Sequence, residues 1–334
     1  MPRAHYRRYD LSMSSTIRDP STPNIEPASQ DDIVAAAYVY QAAAEALSEQ
    51  FRARNPWTNS AARAEDLQQA IRTLATLRAS DDRSVIVARD QHEIIGLAAV
   101  QIQHPHAHIA FNFVHPTAQN RGVGRQLLDR IRDVIDQSGA TVTTLASSRD
   151  PKAWQRYLRF GLYPGPPLLP FRAVNPSFPG TIPENRDLAN RPITSNDLDT
   201  IAELDREVRG ADRRERIGQW LAEGSVGSIV NERVSGAAIG YSLVTMGPHH
   251  GQVGPVVSTS LEHFSYLLDL AVYVAGTVPN PHKRPWRVDL SARNHLAIGP
   301  LLDAGFSAEN LVNWFESDPI GKWDRYIFRD EDEL

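Results

Sequence analysis

Hydrophobic and polar positions follow two kinds of periodicity along the chain, and the order of these segments repeats once. Apolar side chains recur at helical spacing in residues 32–51 and 62–79, which predicts two helices. Two β-branched runs separated by a polar turn then predict a hairpin over residues 84–89 and 94–103. The pattern continues with a predicted strand, helix, strand and helix over 109–114, 125–137, 141–146 and 152–159.

A similar order starts again after a proline-rich passage that predicts a linker. Both halves run helices, antiparallel strands, helix, strand and helix, which indicates the α+β class and two tandem domains. We expect a disordered leader over 1–24, a first domain over 25–172, a linker over 173–190 and a second domain over 191–334. The predicted elements of the second half are a strand at 192–194, helices at 196–208 and 214–222, a hairpin at 227–245, a strand at 252–257, a helix at 261–275, a strand at 286–290 and a helix at 295–304.

Composition removes several classes of function. The 334 residues are 41% hydrophobic and carry a net charge of −5, which gives no positive field for nucleic acid or an anionic membrane. There is no cysteine, so disulfides, thiolate metal sites and a cysteine nucleophile are excluded. No apolar run reaches the length of a membrane span, and the basic leader lacks the apolar core of a secretory signal. A cytoplasmic protein is expected.

The segment with the clearest chemistry is the turn between the third strand and the following helix. Pro116 ends the strand, and Gly122 and Gly124 open the helix. Glycines let the backbone approach a ligand closely, and the free amides at a helix start favour a phosphate. The turn therefore predicts a diphosphate cradle, although two glycines alone could also serve only to shape a loop.

The extended pattern resembles the GNAT superfamily of N-acetyltransferases. The coenzyme A loop of that family matches Gln119-Asn120-Arg121-Gly122-Val123-Gly124, after the strand-ending Val114-His115-Pro116. A second family pattern follows in register, with Asp in place of Asn and Leu in place of Phe, at Asp150, Ala153, Tyr157, Gly161 and Leu162. The resemblance covers about residues 25–170.

This resemblance implies a binding mode for acetyl-CoA. The backbone of Asn112, Phe113 and Val114 would pair with the pantetheine arm, and one amide there would polarise the thioester carbonyl. Tyr157 would protonate the departing thiolate, and Asp150 would lie beside the arm. For Tyr157 a plain core aromatic is the alternative, and for Asp150 a helix cap. The diphosphate would lie on Gln119, Asn120, Arg121, Gly122, Val123, Gly124 and Arg125.

The general base cannot be identified from the sequence. Some relatives carry a glutamate on the fifth strand, but this chain has Leu145 there. His115, His108, Glu93 and solvent remain candidates. The run His104-Pro105-His106-Ala107-His108 could suggest a metal site, but histidines around a proline before a strand favour an exposed loop, so no metal is expected. His249 and His250 are interpreted as a similar loop pair.

The second half resembles a degenerate copy of the same domain. In Val288–Phe306, the residues Asn294, Ala297, Gly305 and Phe306 match the downstream pattern, although a chance match is the alternative. Leu301 occupies the tyrosine position, and no Gly-x-Gly precedes the helix after residue 257. Asp212 and Arg213 could shape an acceptor site between the halves, but a solvated charged loop is favoured.

The expected function is direct transfer of acetyl from acetyl-CoA to a small-molecule primary amine. Direct transfer is expected because no cysteine is available to carry an acyl group. The alternative is a non-catalytic tandem protein that binds acyl-CoA as a sensor or interaction module. The acceptor, the acyl chain length and the oligomeric state remain open.

Overall fold

The computed structural model describes residues 22–50 and 60–329, and it has the α+β architecture expected, with two sheets flanked by helices. The expected leader therefore lies almost wholly outside the described residues. The elements of the first half are β1 (Asn24–Pro27), α1 (Asp32–Gln50), α2 (Ser60–Ser80), β2 (Val85–Asp90), β3 (Glu93–Gln103), β4 (His106–Val114), α3 (Val123–Ser138), β5 (Val142–Ser147), α4 (Pro151–Phe160), β6 (Tyr163–Pro164) and β7 (Leu168–Ala173).

The second half repeats this order and adds a final strand. Its elements are β8 (Leu188–Pro192), α5 (Leu198–Val208), α6 (Arg214–Ala222), β9 (Val226–Glu232), β10 (Ala238–Met246), β11 (Gly251–Ser258), α7 (Leu261–Thr277), β12 (Trp286–Ser291), α8 (His295–Asp303), β13 (Ser307–Ala308), β14 (Asn313–Glu316) and β15 (Tyr326–Phe328). Within the described chain, none of the helices is both long and apolar enough to cross a bilayer.

The two sheets exchange one strand in each direction. The first sheet has the order β1-β2-β3-β4-β5-β14-β6, so a strand from the end of the chain lies between β5 and β6. The second has the order β13-β7-β12-β15-β11-β10-β9-β8, so β7 lies between β12 and β13. In the first sheet β14 pairs antiparallel with β5, from Asn313 opposite Ser147 to Glu316 opposite Thr144. The two sheets therefore share segments across the predicted boundary near residue 172.

Helix α3 shows how the local sequence builds the scaffold of the first domain. Its apolar side chains recur on one face, and Leu127, Leu128 and Ile131 are buried against the sheet. Gly139 ends the helix with φ 74°, a left-handed conformation that glycine adopts without strain. Helix α4 lies on the same face and buries Tyr157 in the same core, while α1 and α2 cover the other face.

Two of the three histidines expected in an exposed loop are buried, so that prediction is wrong for His106 and His108, whereas His104 is exposed. His106 and His108 are 1% exposed, and both rings contact the Thr144 hydroxyl, at 2.8 and 2.9 Å. The ring of Trp314 from β14 stacks on His108, with the ring centroids 5.8 Å apart. The strand thus begins at His106 rather than at residue 109. Its first residues are covered by β14, which lies in the other half of the chain.

The prediction of a solvated charged loop at residues 212–213 is also wrong for Arg213. Arg213 is 3% exposed and forms two hydrogen bonds with the buried carboxylate of Asp205, at 2.8 and 2.9 Å. The Tyr241 hydroxyl donates to the same carboxylate at 2.6 Å. Burial disfavours the charge of Arg213, but Asp205, Tyr241 and Tyr326 together outweigh this effect and raise the pKa of the guanidinium. This arginine is therefore a core ion pair, while Asp212 beside it bonds Arg206 near the surface.

Candidate functional site

The first sheet opens between β4 and β5. These parallel strands pair only at His106, Ala107 and His108, opposite Val142, Thr143 and Thr144. From residue 109 onward the edge of β4 that faces β5 has no strand paired with it among the described residues. A cavity of about 380 Å³ lies at this opening and is lined by both strands and by α1, α2, α3 and α4.

The turn after β4 presents a group of backbone amides to this cavity. Asn120 and Gly122 have φ values of 64° and 80°, which curl the chain before α3 begins at Val123. The amides of residues 120–124 donate to no acceptor within the described part of the chain. Because the first amides of a helix lack internal partners and lie at the positive end of its dipole, they favour an anion. The turn therefore has a backbone conformation that leaves these amides free for an acceptor.

Gly124 lies between Val114 and Arg156 at the start of α3. A Cβ placed there would be 3.4 Å from Val114 Cγ2 and 3.8 Å from the Nε of Arg156. That Nε is buried and has no hydrogen-bond partner in the described structure. A side chain at position 124 would thus project into the space that a bound diphosphate and Arg156 would share.

The structure places all but one of the predicted site residues around the same cavity. The exception is Arg121, whose guanidinium donates to Asp90 at 3.0 Å and does not line the cavity. The residues that do line it are Asn112, Phe113, Val114, Gln119, Asn120, Gly122, Val123, Gly124, Arg125, Asp150 and Tyr157.

Tyr157 projects from α4 into the cavity wall. Its side chain is 7% exposed, and its ring packs edge-on against Phe315 of the exchanged strand, at 5.7 Å between centroids. Burial raises the pKa of the Tyr157 hydroxyl, while Asn112 and the charge of Arg156 act in the opposite direction. The hydroxyl therefore stays protonated near neutral pH and can act as a proton donor.

Asp150 caps α4 and also faces the cavity. Its Oδ1 accepts a hydrogen bond of 2.9 Å from the Lys152 amide, which satisfies one free donor at the helix start. The Lys152 ammonium in turn donates to the side chain of Asn120 at 3.2 Å, so α4 is connected to the turn after β4. Asp150 can therefore cap α4 and at the same time face the cavity, so the helix-cap interpretation does not rule out a position beside a ligand.

Several cavity residues had no recognised signal in the sequence. Tyr40 of α1 donates its hydroxyl proton to Asp66 of α2 at 3.2 Å, and both side chains line the cavity. Arg156 also lines it and directly precedes Tyr157. In the sequence, only its position next to the tyrosine of the family pattern could have indicated a place near the site. For Tyr40 and Asp66 the sequence offers only helical periodicity, which does not reveal which helix face meets β4.

The three side chains suggested as general base, His108, His115 and Glu93, are not among the described residues that line the cavity. Burial and the nearby Arg209 lower the pKa of His108 to about 3, so its imidazole is neutral but a weak base. His115 caps the short turn at 116–118, and Glu93 lies in the β2–β3 hairpin. Across residues 22–50 and 60–329 there is also no cluster of histidine and carboxylate side chains suited to a metal ion.

The corresponding opening in the second sheet is closed by the end of the chain. β11 and β12 pair only at Gly251 with Trp286 and Gln252 with Arg287, and β15 then inserts between them. Tyr326, Ile327 and Phe328 are completely buried there. At Gly254, whose φ is 151°, an added Cβ would lie 2.2 Å from the Phe328 carbonyl oxygen. The second domain thus lacks both the glycine turn and an open strand edge.

Comparison with known proteins agrees with this architecture. Two family models, each described as an acetyltransferase (GNAT) domain, match residues 34–163 and 201–312. No curated protein matches the chain significantly.

Among solved structures, a proposed acetyltransferase from Pyrococcus horikoshii is 13% identical, with a TM-score of 0.68, over 97% of this chain and 99% of that one. A GCN5-related N-acetyltransferase from Sphaerobacter thermophilus is 16% identical, with a TM-score of 0.61, over 90% of this chain and 96% of that one. A tandem GNAT protein from the clavulanic acid biosynthesis pathway is 16% identical, with a TM-score of 0.57, over 89% of this chain and 99% of that one. At these identities the likeness shows the fold.

Proposed function

The chain belongs to the GNAT acetyltransferase superfamily, with two such domains in tandem, and we propose that the first domain transfers the acetyl group of acetyl-CoA to the primary amine of a small molecule. The observation that carries this proposal is the convergence of three features on one cavity. These are the unpaired amides of residues 120–124, the open edge of β4 and the protonated hydroxyl of Tyr157.

The diphosphate of the coenzyme is proposed to lie on the turn at residues 120–124. Several amides would share its charge, and Arg156 and Arg125 would add cationic donors from the cavity wall. Arg121 has no place in this set because it is held by Asp90.

The acyl end is proposed to lie against β4. Acetyl-CoA supplies the activated thioester, and the free edge of β4 at Asn112, Phe113 and Val114 supplies backbone donors and acceptors for the pantetheine arm. A backbone amide of this edge would stabilise the negative charge that develops on the carbonyl oxygen. Its effect is increased because the strand edge is partly shielded from water.

Tyr157 is proposed to act as the general acid. As the amine nitrogen forms its bond to the carbonyl carbon, the carbon–sulfur bond breaks and the leaving thiolate takes the hydroxyl proton of Tyr157. The amine nitrogen loses its proton to solvent, and the Tyr157 oxygen takes a proton back from solvent, which restores the tyrosine. The raised pKa of the tyrosine suits this role because the group enters the reaction protonated. With no cysteine in the chain, the acyl group passes directly to the amine.

Calorimetric titration with acetyl-CoA tests the coenzyme site. Gly124→Glu is expected to abolish binding, because the new carboxylate would occupy the cradle and repel the diphosphate. Gly299→Glu is the matched control, since Gly299 lies on the exposed side of α8 with open space around it. Wild-type protein that shows no binding heat would refute the proposal, and so would equal losses in the two variants.

Thiol release across a panel of amines then separates an enzyme from a sensor. Tyr157→Phe is expected to keep acetyl-CoA binding and to lower kcat by about 10²–10⁴-fold, the range for general acid catalysis. If the wild-type protein binds acetyl-CoA but releases thiol only by slow hydrolysis with every amine, a non-catalytic acyl-CoA-binding protein becomes the better description.

A further inference from the structure

The side chain of Asn112 lies on the face of the first sheet that carries α3 and α4. In the pairing of β3 with β4, Asn112 is opposite Ala98, and cross-strand partners share a face. Ala98 packs in the same core cluster as Tyr157. The neighbours Phe111 and Phe113 pack on the opposite face, against α1 and α2. The amide of Asn112 is therefore directed to the same side of the sheet as the proposed acid, and both residues line the cavity between β4 and β5.

The polar atoms of this amide have no hydrogen-bond partner. Nδ2 and Oδ1 of Asn112 are both shielded from solvent, and neither forms a hydrogen bond with a described residue. A side-chain amide can donate two hydrogen bonds and accept two, and leaving them unmade in the interior costs free energy. A leucine has nearly the same shape and would fill this position without that cost. The packing of the strand therefore does not explain the amide.

The amide acts on the hydroxyl of Tyr157. Burial raises the pKa of this hydroxyl, and Asn112 and the charge of Arg156 lower it, whereas the Asp150 carboxylate raises it. The amide and the hydroxyl are therefore neighbours, although a hydrogen bond of ordinary length and angle is not yet formed between them. Catalytic hydrogen bonds are often long or misaligned until the substrate is bound. This contact can thus become a full hydrogen bond in the reacting complex.

We propose that Asn112 is a positioning residue for the general acid, and that its Nδ2 donates to the Tyr157 oxygen while the hydroxyl proton points to the sulfur. As the thiolate leaves, the O–H bond of Tyr157 breaks, an S–H bond forms, and the tyrosinate oxygen keeps the electron pair. No proton leaves Asn112. The tyrosinate oxygen can only accept, so the N–H side of the amide must face it.

This role favours the transition state over the bound substrate. A hydrogen bond to an oxygen that becomes negatively charged is stronger than one to a neutral hydroxyl. The amide therefore stabilises the tyrosinate more than the tyrosine, which is the condition for a gain in rate. The inference rests on the proposed acetyl transfer, in which only the backbone of Asn112 has a part.

A double-mutant cycle between Asn112→Leu and Tyr157→Phe tests the inference. Asn112→Leu is expected to lower kcat by about ten- to hundredfold, as for the loss of a hydrogen bond to a charged group. The Kd of acetyl-CoA should not change, because the backbone at residue 112 is kept. In the Tyr157→Phe background the same change should have almost no effect, since the hydroxyl that it positions is gone. Equal effects in the two backgrounds would overturn the inference, because the amide would then act independently of the tyrosine.

Asn190→Leu is the matched control. Asn190 on β8 donates to the Tyr266 hydroxyl at 2.9 Å, so it forms the same kind of pair, and neither residue lines the cavity. This control should lower Tm, because a formed hydrogen bond is lost, and leave kcat unchanged. Asn112→Leu should show the reverse, with a Tm equal to that of the wild type or higher. If Asn112→Leu lowers Tm as Asn190→Leu does and keeps kcat, the amide serves the fold and the inference is wrong.

The outcomes separate this inference from the proposed function. If Tyr157→Phe lowers kcat but Asn112→Leu does not, the positioning role is wrong while acetyl transfer with Tyr157 as the acid stands. If Tyr157→Phe itself leaves kcat unchanged, the tyrosine is not the acid and the positioning role falls with it, whereas the coenzyme site stands on the Gly124→Glu test. If acetyl-CoA does not bind or no amine is acetylated, both proposals fail together.

Discussion

Replacing Phe315 with alanine tests whether the exchanged strand supports the site in the first domain. Phe315 belongs to the second half of the chain but lies in the first sheet, where it is 1% exposed. Its ring packs edge-on against Tyr157 and Trp154, each at 5.7 Å between centroids. Among the described residues no other aromatic ring packs against that of Tyr157, so loss of Phe315 leaves the proposed acid without its aromatic neighbour.

The expected cost in stability follows from the burial of the ring. A Phe→Ala change in a core typically lowers the free energy of unfolding by about 3–5 kcal/mol, which includes the cavity left behind. For a protein of 334 residues that unfolds as one unit, this loss corresponds to a decrease in Tm of about 4–7 °C. The displaced tyrosine should also lower kcat by about ten- to hundredfold, because small errors in the position of a catalytic group are costly. Acetyl-CoA binding should change little, since the phosphate turn is untouched.

Thermal unfolding, calorimetry and thiol release on the same preparation would measure these three effects. The control is Phe306→Ala, because Phe306 is 3% exposed and packs in a core cluster of the second domain. It should lower Tm by a similar amount and leave kcat unchanged at temperatures where both variants are folded. If the two variants lose equal activity, or if Phe315→Ala keeps full activity, the exchanged strand does not support Tyr157.

Three further predictions concern the whole chain. Because β15 fills the second cleft, acetyl-CoA should bind with a stoichiometry of one per chain in calorimetry, and a value of two would contradict this. A chain ending at residue 190 lacks β14 and should show no cooperative unfolding by circular dichroism, whereas a sharp transition would show that the first domain is complete without it. The pKa of His108 falls from about 6.5 to about 3 on folding, so below pH 6.5 the unfolded state binds more protons and stability decreases as the pH falls. In His108→Gln, the free energy of unfolding should depend less steeply on pH between pH 6 and 4, by up to about 1.4 kcal/mol per pH unit. An unchanged slope would show that the pKa of His108 does not fall on folding.

The local parts of the site could be predicted from the sequence because each depends on neighbours along the chain. The two glycines, the strand before them and the amphipathic helix after them locate the turn at 119–125, and the spacing from Asp150 to Gly161 places Tyr157 on its helix. The structure brings these segments to one cavity. The tandem α+β class followed in the same way from the repeated order of elements.

The parts that the sequence did not reveal depend on contacts between distant segments. His108 is covered by Trp314 from the other half of the chain, and no local pattern indicates such a partner. The short strands β14 and β15 have four and three residues, too few for periodicity to distinguish them from loops. The closure of the second cleft depends on β15, which the sequence pattern did not reveal. The missing Gly-x-Gly indicated that the second domain lacks a coenzyme loop, but it did not indicate that a strand fills the cleft.

The reciprocal exchange of β7 and β14 also affects how the protein can be synthesised. The first sheet lacks a strand between β5 and β6 until residue 316 has left the ribosome, although all its other strands are complete by residue 164. At about 5–20 residues per second, the nascent chain carries this gap for on the order of ten to thirty seconds. An unpaired strand edge can join another chain during that interval. Translation speed and chaperone capture should therefore influence the yield of this protein more than that of a tandem protein whose domains close one after the other.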